Sequence, residues 1–290
     1  MKKILFATTA LVATASVAAA DVSFSGYGRF GIRYDGATGD TDLTHRLRIQ
    51  IDATAESDAG VTFGARVRIQ QDRGHALLGQ QGINGARFFA RSGGLEVGVG
   101  NIFGALEWMP GQYPIDLGLT GLGYEYVAYA FGGDAYSSNG PGAHGSNGIE
   151  VMYSAGDFSA HISASDTNDR IAAFGAYTFS GWTVALGVQD SSLATDTEWT
   201  ATVGGNIGPA TVGLAYADNG TAGDRLVLSA RFDVGAATNV EAYYADDSAA
   251  GESYGIDFNH DLGGGTSLRG GIVQTYAGDT NADFGVRFNF

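Results

Sequence analysis

The stretch Arg46-Leu47-Arg48-Ile49-Gln50-Ile51 alternates charged or amide side chains with large aliphatic ones. A strand projects successive side chains to opposite faces, so this segment has one charged face and one oily face. The pattern repeats just downstream, where Val61, Phe63, Ala65, Val67 and Ile69 interleave with Thr62, Gly64, Arg66, Arg68 and Gln70. A soluble β-sandwich also carries two-faced strands. The start of the chain, the extent of the repetition and the placement of charge separate the two readings.

At the start, Lys2 and Lys3 precede an apolar run from Ile4 to Val17, and Ala18, Ala19 and Ala20 stand before Asp21. That order reads as a secretory signal peptide, with a run shorter than the ~20 residues a membrane-spanning helix needs. The expected division is residues 1–20 as signal peptide and 21–290 as one domain. Removal of residues 1–20 leaves 14 arginines and no lysine against 31 acidic residues, a net charge of −17. No nucleic-acid partner is expected of so acidic a chain. Cysteine is absent, so an exported chain gains nothing from disulfides. Forty-six glycines, four prolines, 14 tyrosines and 16 phenylalanines describe many strands joined by tight turns. The mean hydropathy of −0.02 fits a soluble protein or a membrane barrel, because barrel strands show only alternate residues to lipid.

Alternation continues to the last residue in about sixteen segments of roughly eight to thirteen residues, near the length of tilted membrane strands. They run from 22–34, 44–54 and 60–71 through 252–260 and 266–275 to 281–290. Turn chemistry separates them at Ser57-Asp58-Ala59-Gly60, Ser92-Gly93-Gly94, Ala155-Gly156-Asp157 and Asn206-Ile207-Gly208-Pro209. The intervening links, such as Asp35 to Leu43 and Asp190 to Thr197, read as longer. Short turns on one rim and longer loops on the other is the asymmetry of an outer-membrane barrel.

Residues 102–146 break the rhythm, and so long a structureless link in a compact domain is ordinarily functional. Trp108, Tyr113, Leu117, Leu119, Leu122, Tyr126 and Phe131 give it too much apolar surface to leave in water. Its acidic residues are Glu107, Asp116, Glu125 and Asp134, and it has no basic residue. The arginines are polarised the other way. Arg29, Arg33, Arg46, Arg48, Arg66, Arg68, Arg73, Arg87 and Arg91 fall on the first four strands or their edges, and none lies between 91 and 170. Parity puts Arg29, Arg46, Arg48, Arg66 and Arg68 opposite Phe30, Leu47, Ile49, Val67 and Ile69. An arginine facing lipid near the midplane costs about 2–4 kcal/mol, so this basic wall faces a wet interior. Like charges on adjacent strands need counter-charges or solvent between them, and the acidic loop, folded inward, is expected to supply those charges.

Gly26-Tyr27-Gly28-Arg29-Phe30-Gly31, His45-Arg46-Leu47-Arg48-Ile49-Gln50, the run Gly60 to Arg68 and the terminal Val286-Arg287-Phe288-Asn289-Phe290 resemble the general diffusion porins of Gram-negative outer membranes. The likeness is greatest to the 16-stranded trimeric porins of photosynthetic purple bacteria. It implies an all-β fold, a 16-stranded antiparallel barrel with 102–146 folded inward as a constriction loop. By the same resemblance, Arg29, Arg46, Arg48, Arg66 and Arg68 form the basic wall of the constriction. Glu107, Asp116, Glu125 and Asp134 take the acidic loop positions, and Phe290 is part of the signal read by the barrel-assembly machinery. Outer-membrane lipid, lipopolysaccharide and two further copies of the chain are the other implied partners.

Other motifs carry less. Gly26, Gly28 and Gly31 form G-x-G-x-x-G, but a strand, not a helix, continues after it, so the dinucleotide reading fails. His45, His75, His144, His161 and His260 are scattered without metal-ligand spacing and are expected to be solvated or lumen-facing. Carboxylates at Asp166 to Asp169 and at Asp246-Asp247 offer oxygen ligands for a structural calcium ion, the one cofactor considered. Tyr27, Tyr34, Tyr177, Phe179, Trp182, Tyr216, Tyr243, Tyr276, Phe288 and Phe290 near segment ends suit interfacial girdles. The expected function is a water-filled channel for passive diffusion of small hydrophilic solutes and ions, with no chemistry. The alternatives are a substrate-selective channel, a barrel enzyme, for which no Ser/His pair stands out, and a soluble exported sandwich.

Overall fold

In the computed structural model, which describes residues 20–72, 83–138 and 145–290, the alternating segments form sixteen antiparallel strands closed into one barrel. They are β1 (Asp21–Asp35), β2 (Asp40–Glu56), β3 (Thr62–Asp72), β4 (Arg87–Ser92), β5 (Leu95–Asn101), β6 (Asn147–Ala155), β7 (Phe158–Ser165) and β8 (Ile171–Phe179). The second half comprises β9 (Trp182–Asp190), β10 (Glu198–Ile207), β11 (Ala210–Asp218), β12 (Asp224–Asp233), β13 (Thr238–Asp247), β14 (Gly251–Gly263), β15 (Thr266–Gln274) and β16 (Thr280–Asn289). Most of the expected signal peptide, residues 1–19, together with Arg73, His75 and His144, lies outside the described residues.

Closure follows from backbone chemistry, since an open sheet edge in hydrocarbon would strand a row of polar groups. The first strand pairs with the last from Tyr27↔Asn289 to Tyr34↔Ala282. The C-terminal residue extends that ladder: Gly26 N donates to Phe290 O at 2.8 Å and Phe290 N to Gly26 O at 3.0 Å. The first hairpin is longer than its sequence suggests. β1 and β2 stay in register out to Asp35↔Asp40, so the link expected to run from Asp35 to Leu43 is only 36–39. Asp40 and Asp42 read as loop residues, yet they keep the period of two, and Gly39 makes the turn at φ +74° with its N–H on Asp35 O. β14 also overruns its expected bounds, with an irregular register between Asp261 and Gly263. Links 57–61, 93–94, 156–157, 180–181, 208–209, 234–237 and 264–265 form the short-turn rim; residues 102–138 leave β5 at the other.

The two faces are chemically distinct. Phe30, Ile32, Leu47, Phe63, Phe88, Ile162, Leu186, Leu228 and Ile272 are all exposed on the outside. A band of that size is compatible with a lipid environment and not with water. Tyr34, Tyr177, Phe179, Phe288 and Phe290 stay on the outer surface near strand ends, where a girdle belongs. Three expected girdle residues point elsewhere. Tyr27 faces inward beneath Arg48 and Arg287, at 5.2 and 4.4 Å from ring centroid to guanidinium. Tyr243 is buried inside against Tyr126, and Tyr276 lies under Arg225 at 4.7 Å. Segment-end position marks depth in the membrane but not parity, which is why these three were misassigned.

Depth and parity together predict the response to charge. Leu186→Arg, mid-strand on the outer face, is expected to lower folding stability in lipid vesicles by about 2–4 kcal/mol, and Phe158→Arg, beside a short turn, by about 0–1 kcal/mol. Reversible folding titrations measure both, and equal losses would contradict the placement of the oily belt.

Candidate functional site

Residues 102–138 cross the inside of the barrel, and their apolar side chains are seated on one half of its wall. Ala105, Leu106, Met109 and Phe131 pack on Ala172, Phe174 and Ala176 of β8 and Ala185 of β9. Ile115, Leu117, Leu122, Tyr126 and Val127 pack on Ala215 and Ala217 of β11, Val227 of β12, Tyr243 and Ala245 of β13, and Val273 of β15. Burial of each large aliphatic is worth about 1.5–3 kcal/mol. Where contact is tightest the wall has no side chain at all. A Cβ on Gly285 would stand 2.7 Å from Leu119 Cδ2, and one on Gly271 3.1 Å from Gly118 Cα.

Apolar contact leaves the loop backbone unsatisfied, and buried N–H groups need partners. Wall carboxylates provide them. Glu150 of β6 accepts Phe103 N at 2.9 Å and Gly104 N at 3.2 Å. Glu241 of β13 accepts Asp116 N at 2.9 Å, and Asp257 of β14 accepts Gly118 N at 2.6 Å. Asp283 of β16 takes Leu119 N at 2.9 Å, Thr120 N at 2.8 Å and the Thr120 hydroxyl at 2.6 Å. Hydrogen bonds to an ionised acceptor are roughly twice as strong as neutral ones. Donors on the wall hold loop carbonyls in return: Thr202 Oγ1 donates to Pro110 O at 2.6 Å, Gln189 Nε2 to Gly132 O at 2.7 Å and Arg225 Nη1 to Val127 O at 3.0 Å. Held this firmly, the turn tolerates left-handed backbone at Leu122 (φ 44°) and Tyr124 (φ 60°), each a cost of order 1–3 kcal/mol.

The opposite wall carries the arginines. Arg29, Arg46, Arg48, Arg66 and Arg68 do share one inner face, through the register Arg29↔Arg46 and then Arg46↔Asp72, Arg48↔Gln70, Gln50↔Arg68 and Asp52↔Arg66. Their partners differ from the expected ones. Arg66 Nε pairs with Asp52 at 2.6 Å and Arg46 Nη2 with Asp72 at 3.3 Å. Arg48 Nε donates to Gln70 at 2.6 Å and Arg68 Nε to Gln50 at 2.9 Å. The wall thus carries its own counter-charges. From the loop these arginines receive neutral groups: Arg29 Nη1 donates to Leu119 O at 2.7 Å, Arg68 Nη1 to Ser138 Oγ at 2.9 Å, and Tyr136 and Phe103 lie under Arg68 and Arg66 at 4.7 and 5.5 Å.

The four loop carboxylates separate into different roles. Asp116, exposed, pairs with Arg287 at 3.2 Å and with Arg269, two arginines of β16 and β15 outside the expected wall set. Glu107 accepts the hydroxyls of Tyr113 at 2.5 Å and Tyr129 at 2.6 Å. Burial first, and this carboxylate second, hold the Tyr129 phenol above the ordinary tyrosine range. Glu125 accepts Ser253 Oγ at 2.6 Å and Tyr276 N at 3.0 Å. Asp134 is buried against Arg170 at 2.7 Å and Ser146 Oγ at 2.6 Å. Glu125 and Asp134 therefore fasten the loop to the barrel, because the apolar packing turns them away from the arginine wall of β1–β3.

One expectation about the histidines needs correction. His161 is neither solvated nor open to the lumen: it is 1% exposed, with Nε2 3.0 Å from Glu150 Oε2. Asp247 is taken up by Arg225 at 2.9 Å and by Ala249 N and Ala250 N at 2.9 Å, and Asp166 accepts from Asn147 Nδ2. Among the described residues no three His, Asp or Glu side chains gather as a metal site. The loop-holding residues Glu150, Glu241, Asp257 and Asp283, and the lumen arginines Arg269 and Arg287, carry no local sequence signal for these roles. Parity alone could have flagged Asp52, two positions from Gln50 on the face of Arg46 and Arg48.

Asp283 makes the strongest test of this seating. Asp283→Ala leaves two loop N–H groups without acceptors, an expected loss of about 1–3 kcal/mol in denaturant unfolding, together with larger fluctuations in open-channel current; an unchanged variant would remove Asp283 as a loop anchor.

The family profile described as Gram-negative porin matches residues 7–280. The chain is 35% identical over 314 residues to a porin of Fuscovulum blasticum, covering 93% of this chain and 100% of that one. It is 29% identical over 195 residues to a porin of Rhodobacter capsulatus, covering 61% of this chain and 60% of that one. Among solved structures, a mutant of Rh. blastica porin superposes with a TM-score of 0.85 at 31% identity, covering 93% of this chain and 100% of its own. A triple mutant of Rhodopseudomonas blastica porin gives 0.86 at 30% identity over the same shares. The closed sixteen-stranded fold and the sequence agree, and the chain belongs to the Gram-negative porin family, forming a sixteen-stranded channel in the outer membrane.

Proposed function

We propose that the channel passes small hydrophilic solutes and ions passively, with the loop edge and the arginine wall as its constriction. One observation carries this reading: the apolar side chains of the loop are seated on β8–β15, while Arg46, Arg48, Arg66 and Arg68 line the inner face of β2 and β3, where Arg66 and Arg68 meet the loop only through the neutral groups of Phe103, Tyr136 and Ser138. Guanidinium groups on one wall and Glu107, Asp116 and tyrosine hydroxyls on the other set up a transverse field, which orders water and disfavours apolar solutes. No step of the proposal requires a cofactor or a covalent change.

The remaining features belong to biogenesis and setting. Residues 1–20 act as a cleaved signal peptide, Phe290 at the ladder's end is read by the barrel-assembly machinery, and the mature barrel sits in lipid and lipopolysaccharide as a homotrimer. The short-turn rim faces the periplasm.

A planar bilayer tests the reading. Purified protein is expected to add current in discrete steps, and with a net charge of −17 the reversal potential in a potassium chloride gradient is expected to favour potassium. Substituting Arg46, Arg48, Arg66 and Arg68 by alanine leaves Asp52 and Asp72 behind, so conductance and cation preference should both rise. Absence of step currents would overturn the channel reading, and unchanged conductance in the fourfold variant would remove the arginines from the constriction. Flux confined to one solute class, with other small hydrophilic solutes excluded, would identify a substrate-selective channel instead.

A further inference from the structure

Below the loop, toward the short-turn rim, the lumen widens into a side cavity of about 640 Å³ against β4–β8, within the range of small-molecule sites. The underside of the loop forms its roof. Trp108, 49% exposed, stacks with one face on Phe103 at 4.3 Å and an interplanar angle of 13°, and lines the cavity. Phe174 and Met152 supply the apolar floor.

Two charged side chains stand beside this apolar surface. Arg91 and Glu96 are direct register partners on β4 and β5, and both line the cavity. Their states differ. Glu96 gives Oε1 to the buried Arg87 at 2.6 Å. Arg91 is exposed and lies over the Phe89 ring at 5.5 Å, with no carboxylate partner among the described residues. The neighbouring charges are already committed: Arg87 is shared between Glu96 and Glu150, and Glu150 also takes His161 and two loop amides. The cavity therefore presents one uncommitted guanidinium, one half-committed carboxylate beside it and an aromatic face.

Resting on the channel reading, the geometry points to a binding subsite for α-amino acids with apolar, above all aromatic, side chains. The substrate carboxylate meets Arg91 in a charge-assisted pair, its ammonium meets the free oxygen of Glu96, and its side chain lies against Trp108, Phe174 and Met152. Register partners on adjacent strands place opposite charges side by side at a spacing that suits the adjoining carboxylate and ammonium of an amino acid. A simple anion lacks a group for Glu96, and an amine lacks one for Arg91. Glycine satisfies both charges and leaves the aromatic face empty.

Single-channel recording with L-phenylalanine as probe tests the assignment. Phenylalanine is expected to interrupt the current in a saturable manner, while glycine, phenethylamine and 3-phenylpropionate at the same concentration do so at least about fivefold less. Arg91→Gln should raise the half-blocking concentration of phenylalanine about tenfold, the loss of one charge-assisted pair, and Arg91→Lys should recover part of it. Trp108→Ala should weaken phenylalanine and leave glycine unaffected. Equal block by 3-phenylpropionate, or an Arg91→Gln channel that responds to phenylalanine like the parent, overturns the subsite while step currents leave the pore intact. Loss of step currents in the parent protein would overturn the pore and the subsite together.

Discussion

Hydrocarbon offers a polypeptide backbone no hydrogen-bond partner, and this constraint organises the whole molecule. Each strand must find both neighbours, so the sheet closes and its first and last strands meet through Phe290. Once the sheet is closed, the period of two divides every strand into an outer and an inner series. Phe, Leu and Ile such as Phe30, Leu47 and Ile49 take the lipid side; Arg, Asp and Gln such as Arg48, Asp52 and Gln70 take the water side. A wet interior is what allows arginines to crowd on β1–β4 without unfolding the barrel.

A wide wet interior then creates a second problem, because a loop crossing it must hold a fixed position. Two devices solve it together. Alanines and glycines on β8–β16 hollow the wall, so that Leu106, Leu117, Leu119 and Leu122 can sink into it. Carboxylates at Glu150, Glu241, Asp257 and Asp283 take the loop's amides where it lies closest. The negative charge of these strands is thus spent on the loop backbone, and the arginine wall draws its own compensation from Asp52 and Asp72. Compensation by near neighbours differs from compensation across the lumen: it reduces the repulsion along the wall and leaves the far side free to present tyrosine hydroxyls and Asp116.

The barrel was legible because its signal is local. Arg46 to Ile51 shows two faces within six residues, and turn residues such as Gly93-Gly94 mark the ends of strands. The inward course of 102–146 was legible from its apolar content. Partners were not. Whether Asp134 meets Arg68 or Arg170 depends on how Leu106 and Phe131 dock, a long-range packing outcome with no sequence period. His161 looked like any lone histidine until the register Met152↔His161 brought it beside Glu150. Tyr27 and Tyr243 were misplaced for a related reason, since nearness to a strand end says nothing about which side a ring takes.

Orientation of the side chains is the claim on which all else rests, and the absence of native cysteine makes it directly measurable. Single substitutions Arg46→Cys, Leu47→Cys, Arg48→Cys and Ile49→Cys, with Val67→Cys and Arg68→Cys on the next strand, can be exposed in lipid vesicles to a water-soluble, membrane-impermeant thiol reagent. Fast labelling at 46, 48 and 68 with protection at 47, 49 and 67 is the predicted result. Uniform labelling, or an inverted alternation, would contradict a barrel with its oily side chains in lipid and its arginines in water.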